Sequence, residues 1–233
     1  MQILAADKIC ARAALYCALA RAHGLAQMYA LKIQVKHMKK GRLEAFSDGV
    51  FAIIITIMVL ELKPPQGETM GDLLEMAPTF LGYVISFAYV GIYWNNHHHM
   101  FQVVEKVDGR VLWANLFLLF WLSLMPFVTA WAGQSNFAAQ PVTLYGIVLL
   151  MCAISYTILQ LHLIQINGKD SAFARALGSD FKAKISLVLY IAAIALSFVN
   201  PWISCALFVV VALIWFVPDR RMEKAVESTR NAE

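Results

Sequence analysis

The chain is built from long apolar runs separated by short polar, proline-marked breaks. A helix rises about 1.5 Å per residue and the hydrocarbon core of a bilayer is about 30 Å thick, so a spanning helix needs about 20 apolar residues. Four runs meet that length: Leu43 to Leu62, closed by Lys63-Pro64-Pro65; Ala77 to Trp94; Val111 to Trp131, in which Pro126 predicts a kink; and Val142 to Ile164. A polar loop over Asn167 to Asp180 follows, and then one apolar stretch from Ile185 to Val217. As a single helix that stretch would measure about 50 Å, too long for a bilayer. Asn200-Pro201 at its centre is a turn signal, which splits it into two short spans joined by a tight hairpin. The pattern therefore predicts an all-α integral membrane protein with six spans.

Charge gives the orientation. Eight Lys/Arg precede the first run, counting Arg42, and Lys106 and Arg110 follow the second. Lys169, Arg175, Lys182 and Lys184 follow the fourth, and Arg220, Arg221, Lys224 and Arg230 follow the last. Only Lys63 falls on the opposite side, beside Glu68, Asp72 and Glu75. This asymmetry is the positive-inside pattern and places both termini in the cytosol, which requires an even number of spans. The composition agrees: 60% of the 233 residues are apolar and 15% are charged, against about 25% charged in a soluble domain. The basic residues thus read as topology signals, not as a nucleic-acid surface.

Three domains are expected: a basic extension over residues 1–37, the membrane domain over 38–217, and a charged cytosolic tail over 218–233. Met38-Lys39-Lys40-Gly41-Arg42 resembles a bacterial start, so translation beginning at Met38 is an expectation, and the extension carries no signal-peptide pattern. Cys10, Cys17, Cys152 and Cys205 form no CxxC pair. His97-His98-His99 invites a metal reading, yet adjacent helical side chains point in different directions and no Cys or same-face carboxylate completes a set; packing or polar contact is the plainer role. His162 reads as a satisfied polar residue. No metal, cofactor or enzymatic nucleophile is expected.

The segment richest in chemistry opens the first span: Arg42, Phe46, Ser47, Asp48, then Ile53, Thr56, Ile57 and Leu60. Asp48 sits about 9 Å of helical rise beyond Arg42. An ionisable residue in a span faces protein or water and needs a partner; Asp48 is either a cap and packing pair or a functional group. Ile53, Thr56, Ile57 and Leu60 stand at i, i+3, i+4 and i+7, one face of a helix. Such a stripe is lipid-facing or packed in most spans, and four copies about an axis would instead stack apolar rings with one hydroxyl layer.

Arg42-x-x-x-Phe46-Ser47-Asp48 resembles the signature of the endolysosomal potassium channel family and its bacterial relatives, over residues 38 to 217. The resemblance implies a six-span subunit, a homotetramer in the bacterial cell (inner) membrane, and a central pore lined by the first helix. Potassium is then the permeant ion and the bilayer and further copies of the chain are the partners, with no cofactor. Like that family, the chain lacks a TVGYG filter. The resemblance makes Ile53 the apolar constriction, with Thr56, Ile57 and Leu60 lining the same path. It makes Arg42, Phe46, Ser47 and Asp48 a structural clamp, with Trp94, Asn95, Asn96, His97, His98, Trp113 and Asn115 as candidate partners. Ala52 departs from members with serine there, which puts a second hydroxyl layer in doubt and predicts weaker potassium selectivity. The competing class is a proton-coupled or other secondary transporter, which needs midplane ionisable groups; Asp48 and Glu61 lie toward opposite ends of the first span instead.

Overall fold

The apolar runs fold into nine helices among the residues that the computed structural model describes, 40–178 and 181–216. The expected extension over 1–37, the start at Met38 and the tail over 218–233 lie outside those residues. Helix α1 is Lys40–Leu60, an unbroken apolar run that ends where Lys63-Pro64-Pro65 stops it. The short helix α2, Met70–Glu75, was not legible as a helix from hydropathy. It is set by a capping box, in which the Thr69 side chain accepts from Asp72 N while the Asp72 carboxylate accepts from Thr69 N. The Thr69 hydroxyl also donates to that carboxylate, and together with the Thr69 N–H it holds the Asp72 carboxyl below its usual range.

Helix α3, Ala77–Val103, starts on Pro78 in its first turn and runs nine residues beyond the expected end at Trp94. The polar cluster from Asn95 to His99 therefore lies inside a helix, one or two turns before its end, because nothing in it breaks helical geometry. Asp108 caps α4, Gly109–Ser123, by accepting from Val111 N at 2.9 Å. The expected kink is present: α4 stops at Leu124 and α5, Met125–Gln134, restarts with Pro126 in its first turn. Asn136 and Phe137 then turn the chain with positive φ (51° and 57°), and Phe137 is buried there against the Trp202 ring at 5.3 Å. Helix α6 is Ala139–Asn167. The predicted polar loop after it contains a further helix, α7, Ala172–Leu177, capped by Ser171 and anchored by the buried Phe173.

The last apolar stretch divides where Asn200-Pro201 requires, into α8, Phe181–Leu196, and α9, Pro201–Phe216. Asn200 Oδ1 accepts from Trp202 N at 3.0 Å, and Ser204 Oγ donates to the Ala193 carbonyl at 2.7 Å, tying the hairpin. Among the described residues four helices suffice by length and composition to cross a membrane: α1, α3, the α4–α5 pair counted as one, and α6. Helices α8 and α9 have 16 residues each, about 24 Å of rise, and do not meet that length singly.

The helices pack as α4 on α6, α6 on α8, α3 on α5 and α8 on α9. Two devices hold this arrangement. Asn167, at the end of α6, accepts from Glu105 N and Lys106 N (3.2 and 2.9 Å) and donates to the Lys106 and Leu163 carbonyls (3.1 and 2.9 Å), stapling the α3–α4 connection. Gly133 lets α5 touch α3: a Cβ there would lie 2.6 Å from Thr79 Cα, a backbone atom that cannot swing away. Gly133→Ala is expected to lower unfolding stability in detergent by about 1–3 kcal/mol, the usual cost of overpacking. Gly109→Ala, which meets nothing within 4 Å, should stay within about 0.5 kcal/mol. Equal melting temperatures for the two variants would show that the α3–α5 contact tolerates a methyl group.

Candidate functional site

Helix α1 has two unlike faces. Leu43, Ser47, Phe51, Ile54 and Met58 are buried, at spacings of four and three that keep them on one side. On the other side Gly49, Ala52, Thr56 and Val59 are exposed, Ile53 is 57% exposed and Leu60 is 77% exposed. The predicted stripe of Ile53, Thr56, Ile57 and Leu60 is thus exposed along its length. Thr56 Oγ1 donates to the Ile53 carbonyl at 2.9 Å, so its hydroxyl is satisfied along its own helix while its oxygen still presents lone pairs. At the edge of the stripe, Val50, Ile53 and Ile57 line an open groove against Phe127 and Trp131 of α5, with Glu61 and Lys63 also on its wall.

The buried face is anchored by a directed hydrogen-bond chain. Ser47 Oγ donates to the Leu43 carbonyl at 2.9 Å and therefore accepts from Asn115 Nδ2 of α4 at 2.9 Å. That orientation turns Asn115 Oδ1 to His97 Nε2 of α3, 2.8 Å away. Since the amide oxygen only accepts, His97 must donate from Nε2. Ser47, Asn115 and His97 are all at or below 1% exposure. Away from water, every member must be paired, and here every member is. The His97 ring is further fixed between Phe51 (5.6 Å, edge-on) and Phe101 (4.6 Å).

Asp48, one residue along, is held differently. Trp94 Nε1 donates to Asp48 Oδ1 at 2.9 Å in a partly open setting. The Trp94 ring stacks on His98 at 5.7 Å and 16°, and His98 in turn pairs with Gln102 at 2.8 Å. Of the candidate partners, the structure thus brings Trp94 to Asp48 and Asn115 to Ser47, with His97 behind Asn115. Asn96 donates to the Ile92 carbonyl of its own helix, Asn95 is half-buried on α3, and Trp113 is 75% exposed. Arg42 is exposed, and Phe46 is 53% exposed. The three consecutive histidines go to three surroundings, and among the described residues no three His, Cys, Asp or Glu side chains gather as a metal set. His162 faces Gln165 at 3.4 Å.

Sequence reasoning missed a second polar column inside the subunit. Thr129 Oγ1 donates to Ser86 Oγ (2.7 Å), Ser86 pairs with the Tyr145 hydroxyl (3.0 Å), and the Tyr89 hydroxyl donates to the Phe208 carbonyl. Its signal was present in α3, where Gly82, Ser86, Tyr89, Tyr93 and Asn96 recur at helical spacing.

Comparison with known proteins follows the same segments. The family described as endosomal/lysosomal potassium channel TMEM175 matches residues 42–126. A potassium channel of a Chryseobacterium species is 57% identical over 190 residues, which cover 82% of this chain and 99% of that protein. The crystal structure of a lysosomal potassium-selective channel TMEM175 homolog from Chamaesiphon minutus aligns with a TM-score of 0.69 and 31% identity, over 78% of this chain and 99% of that one. The mouse endosomal/lysosomal proton channel TMEM175 is 34% identical over 131 residues, 51% of this chain and 26% of that protein.

The two anchors should separate on mutation. Asn115→Ala strands His97 Nε2 and removes the donor to Ser47 Oγ in a dry site, at a cost of about 1–3 kcal/mol. Trp94→Phe removes one partly solvated bond, worth about 0.5–1.5 kcal/mol. Thermal unfolding in detergent is expected to rank Asn115→Ala as the more destabilising; the reverse order would place the main anchor of α1 at Asp48.

Proposed function

The chain belongs to the endosomal/lysosomal potassium channel family TMEM175, and on that premise we propose that it is a passive potassium channel whose pore is lined by α1. The observation that carries this reading is the uncovered stripe of Ile53, Thr56, Ile57 and Leu60, opposite a face that is buried and pinned through Ser47 to Asn115 and His97. An anchored helix with one continuous free face is what a pore-lining element requires. Four copies about an axis, each contributing six spans with α8 and α9 as the short pair, would close that face into stacked rings. The channel domain is then 38–217, in a cell membrane, with both termini cytosolic.

In this arrangement Ile53 is the narrowest ring. An apolar constriction resists ion passage by excluding water, and wetting it opens the path. The Thr56 hydroxyl layer, one turn further along, offers oxygen to an ion that has lost part of its hydration. Ala52 adds none, so discrimination against sodium rests on a single hydroxyl layer. Arg42, Phe46, Ser47 and Asp48 serve as the clamp that sets the angle of α1, with Asp48 on Trp94 and Ser47 on Asn115. Transport needs no cofactor, since the ion gradient supplies the driving force, and no reaction chemistry is called for.

Purified protein in liposomes tests this. Current is expected to reverse near the potassium equilibrium potential, and a flux strictly coupled to protons would replace the channel with a transporter. Because the mouse relative is named a proton channel, proton flux should be measured in the same vesicles. Ile53→Asn is expected to raise conductance several-fold and to reduce the preference for potassium over sodium, by admitting water to the ring. Unchanged currents from a correctly assembled Ile53→Asn protein would mean that the constriction lies elsewhere.

A further inference from the structure

The face of α3 turned into its own subunit pairs its polar groups directly along its first half. Ser86 is joined to Thr129 and Tyr145, and Tyr89 to the Phe208 carbonyl. One to two turns further, Tyr93 and Asn96 border a cavity that α3 shares with α6, α8 and α9. It gives the centre of a water-sized sphere about 30 Å³ in which to move. On that measure a water needs about 10–15 Å³, together with two to four polar partners. The cavity is therefore the size of about one or two waters and too small for an organic guest.

The polar groups on its wall are unevenly matched. Asn96 Nδ2 donates to the Ile92 carbonyl at 2.8 Å, which leaves Oδ1 as an acceptor. Thr157 Oγ1 donates to the Ala153 carbonyl at 2.9 Å. Ser186 Oγ donates to the Lys182 carbonyl at 2.7 Å while accepting from Trp215 Nε1 at 2.9 Å. The Tyr190 hydroxyl is directed at the Tyr89 hydroxyl, 3.5 Å away. These hydroxyls have each committed their one proton to the protein and keep lone pairs to spare. Tyr93 is the opposite case. It lines the same cavity, its ring meets Tyr156 edge-on at 5.9 Å, and among the described residues its hydroxyl makes no hydrogen bond. The wall thus offers one uncommitted donor and several acceptors that lack a proton. A small molecule that accepts one hydrogen bond and donates two completes such a set, and water does this.

We infer that each subunit binds an ordered structural water here, which accepts from the Tyr93 hydroxyl and donates to Asn96 Oδ1 and to a hydroxyl oxygen of Thr157 or Tyr190. The water ties α3 to α6 and α8 at the level where direct contact between polar side chains gives out, and so extends the Ser86–Tyr145 column toward the other end of α3. This site is separate from the exposed face of α1 and stands whether or not that face lines a pore.

A crystal structure of the unmodified full-length protein, grown with rubidium in place of potassium and at a resolution that shows ordered waters, reads the site directly. Density is expected within hydrogen-bond distance of the Tyr93 hydroxyl, without anomalous signal. No density there would overturn the inference, and an anomalous peak would make the guest a monovalent cation and overturn it as well. Thermal unfolding in detergent gives a second readout through the sign of one change. Tyr93→Phe should lower the melting temperature by about 2–4 °C, because it removes the donor to a bound water. An unpaired hydroxyl predicts the reverse, so an unchanged or higher melting temperature would overturn the assignment. Ala153→Leu, which fills the cavity, should cost less in the Tyr93→Phe background than in the unmodified protein, since no hydroxyl is then left stranded. Strictly additive effects of the two substitutions would show that Tyr93 and the cavity share no guest.

Discussion

The hydrogen-bond chain from Leu43 through Ser47 and Asn115 to His97 is the constraint on which the arrangement of α1 rests. In lipid there is little hydrophobic drive to press one apolar helix against another, because the solvent is as apolar as the side chains. Association must come from close packing and from polar groups that have nowhere else to pair. A buried serine, amide and imidazole supply that at one level of the bundle and fix the rotation of α1 about its own axis. Once the rotation is fixed, Phe51, Ile54 and Met58 must point inward and Ile53, Thr56 and Leu60 must point away.

The same logic recurs through the subunit. Ser86, Thr129 and Tyr145 join α3, α5 and α6; Tyr89 reaches the Phe208 carbonyl; Ser204 reaches the Ala193 carbonyl; Trp215 reaches Ser186. Small residues do the complementary work where backbones must touch, as at Gly133 against Thr79 and Gly146 against Phe208 and Ile194. These polar groups sit within an interior that is itself mostly apolar, and the outer surface is apolar as well, unlike that of a soluble domain. The exposed Phe198, Val199, Trp202 and Leu213 of the last hairpin are the expected outer surface of such a molecule.

Asp48 and Ser47 are neighbours in sequence and differ in environment, and this division bears on the proposed function. Ser47 belongs to the dry anchor, whereas Asp48 accepts a bond from a tryptophan that is itself 41% exposed. A carboxylate is tolerated there because the setting is partly open, near the end of the helix where the chain enters the bundle. The motif thus combines an interior pin with a peripheral brace, and the free face that is proposed to line the pore is set by both.

Hydropathy, charge and proline placement determined most of the architecture from the sequence alone: four long apolar helices, the break at Pro126 and the turn at Asn200-Pro201 are local properties of chain length and backbone chemistry. The helical repeat likewise put Ile53, Thr56, Ile57 and Leu60 on one face. Those signals are silent about what lies across from a face. That Asn115 rather than Trp113 meets Ser47, that Trp94 alone of the aromatic and polar cluster meets Asp48, and that α3 continues to Val103 were decided by the tertiary structure. So were α2 and α7, short helices made by capping side chains and one buried phenylalanine, not by long apolar runs. The reason is physical: period and composition act within about one helical turn, whereas partner choice depends on the rotation and depth of a second helix, which only mutual packing sets.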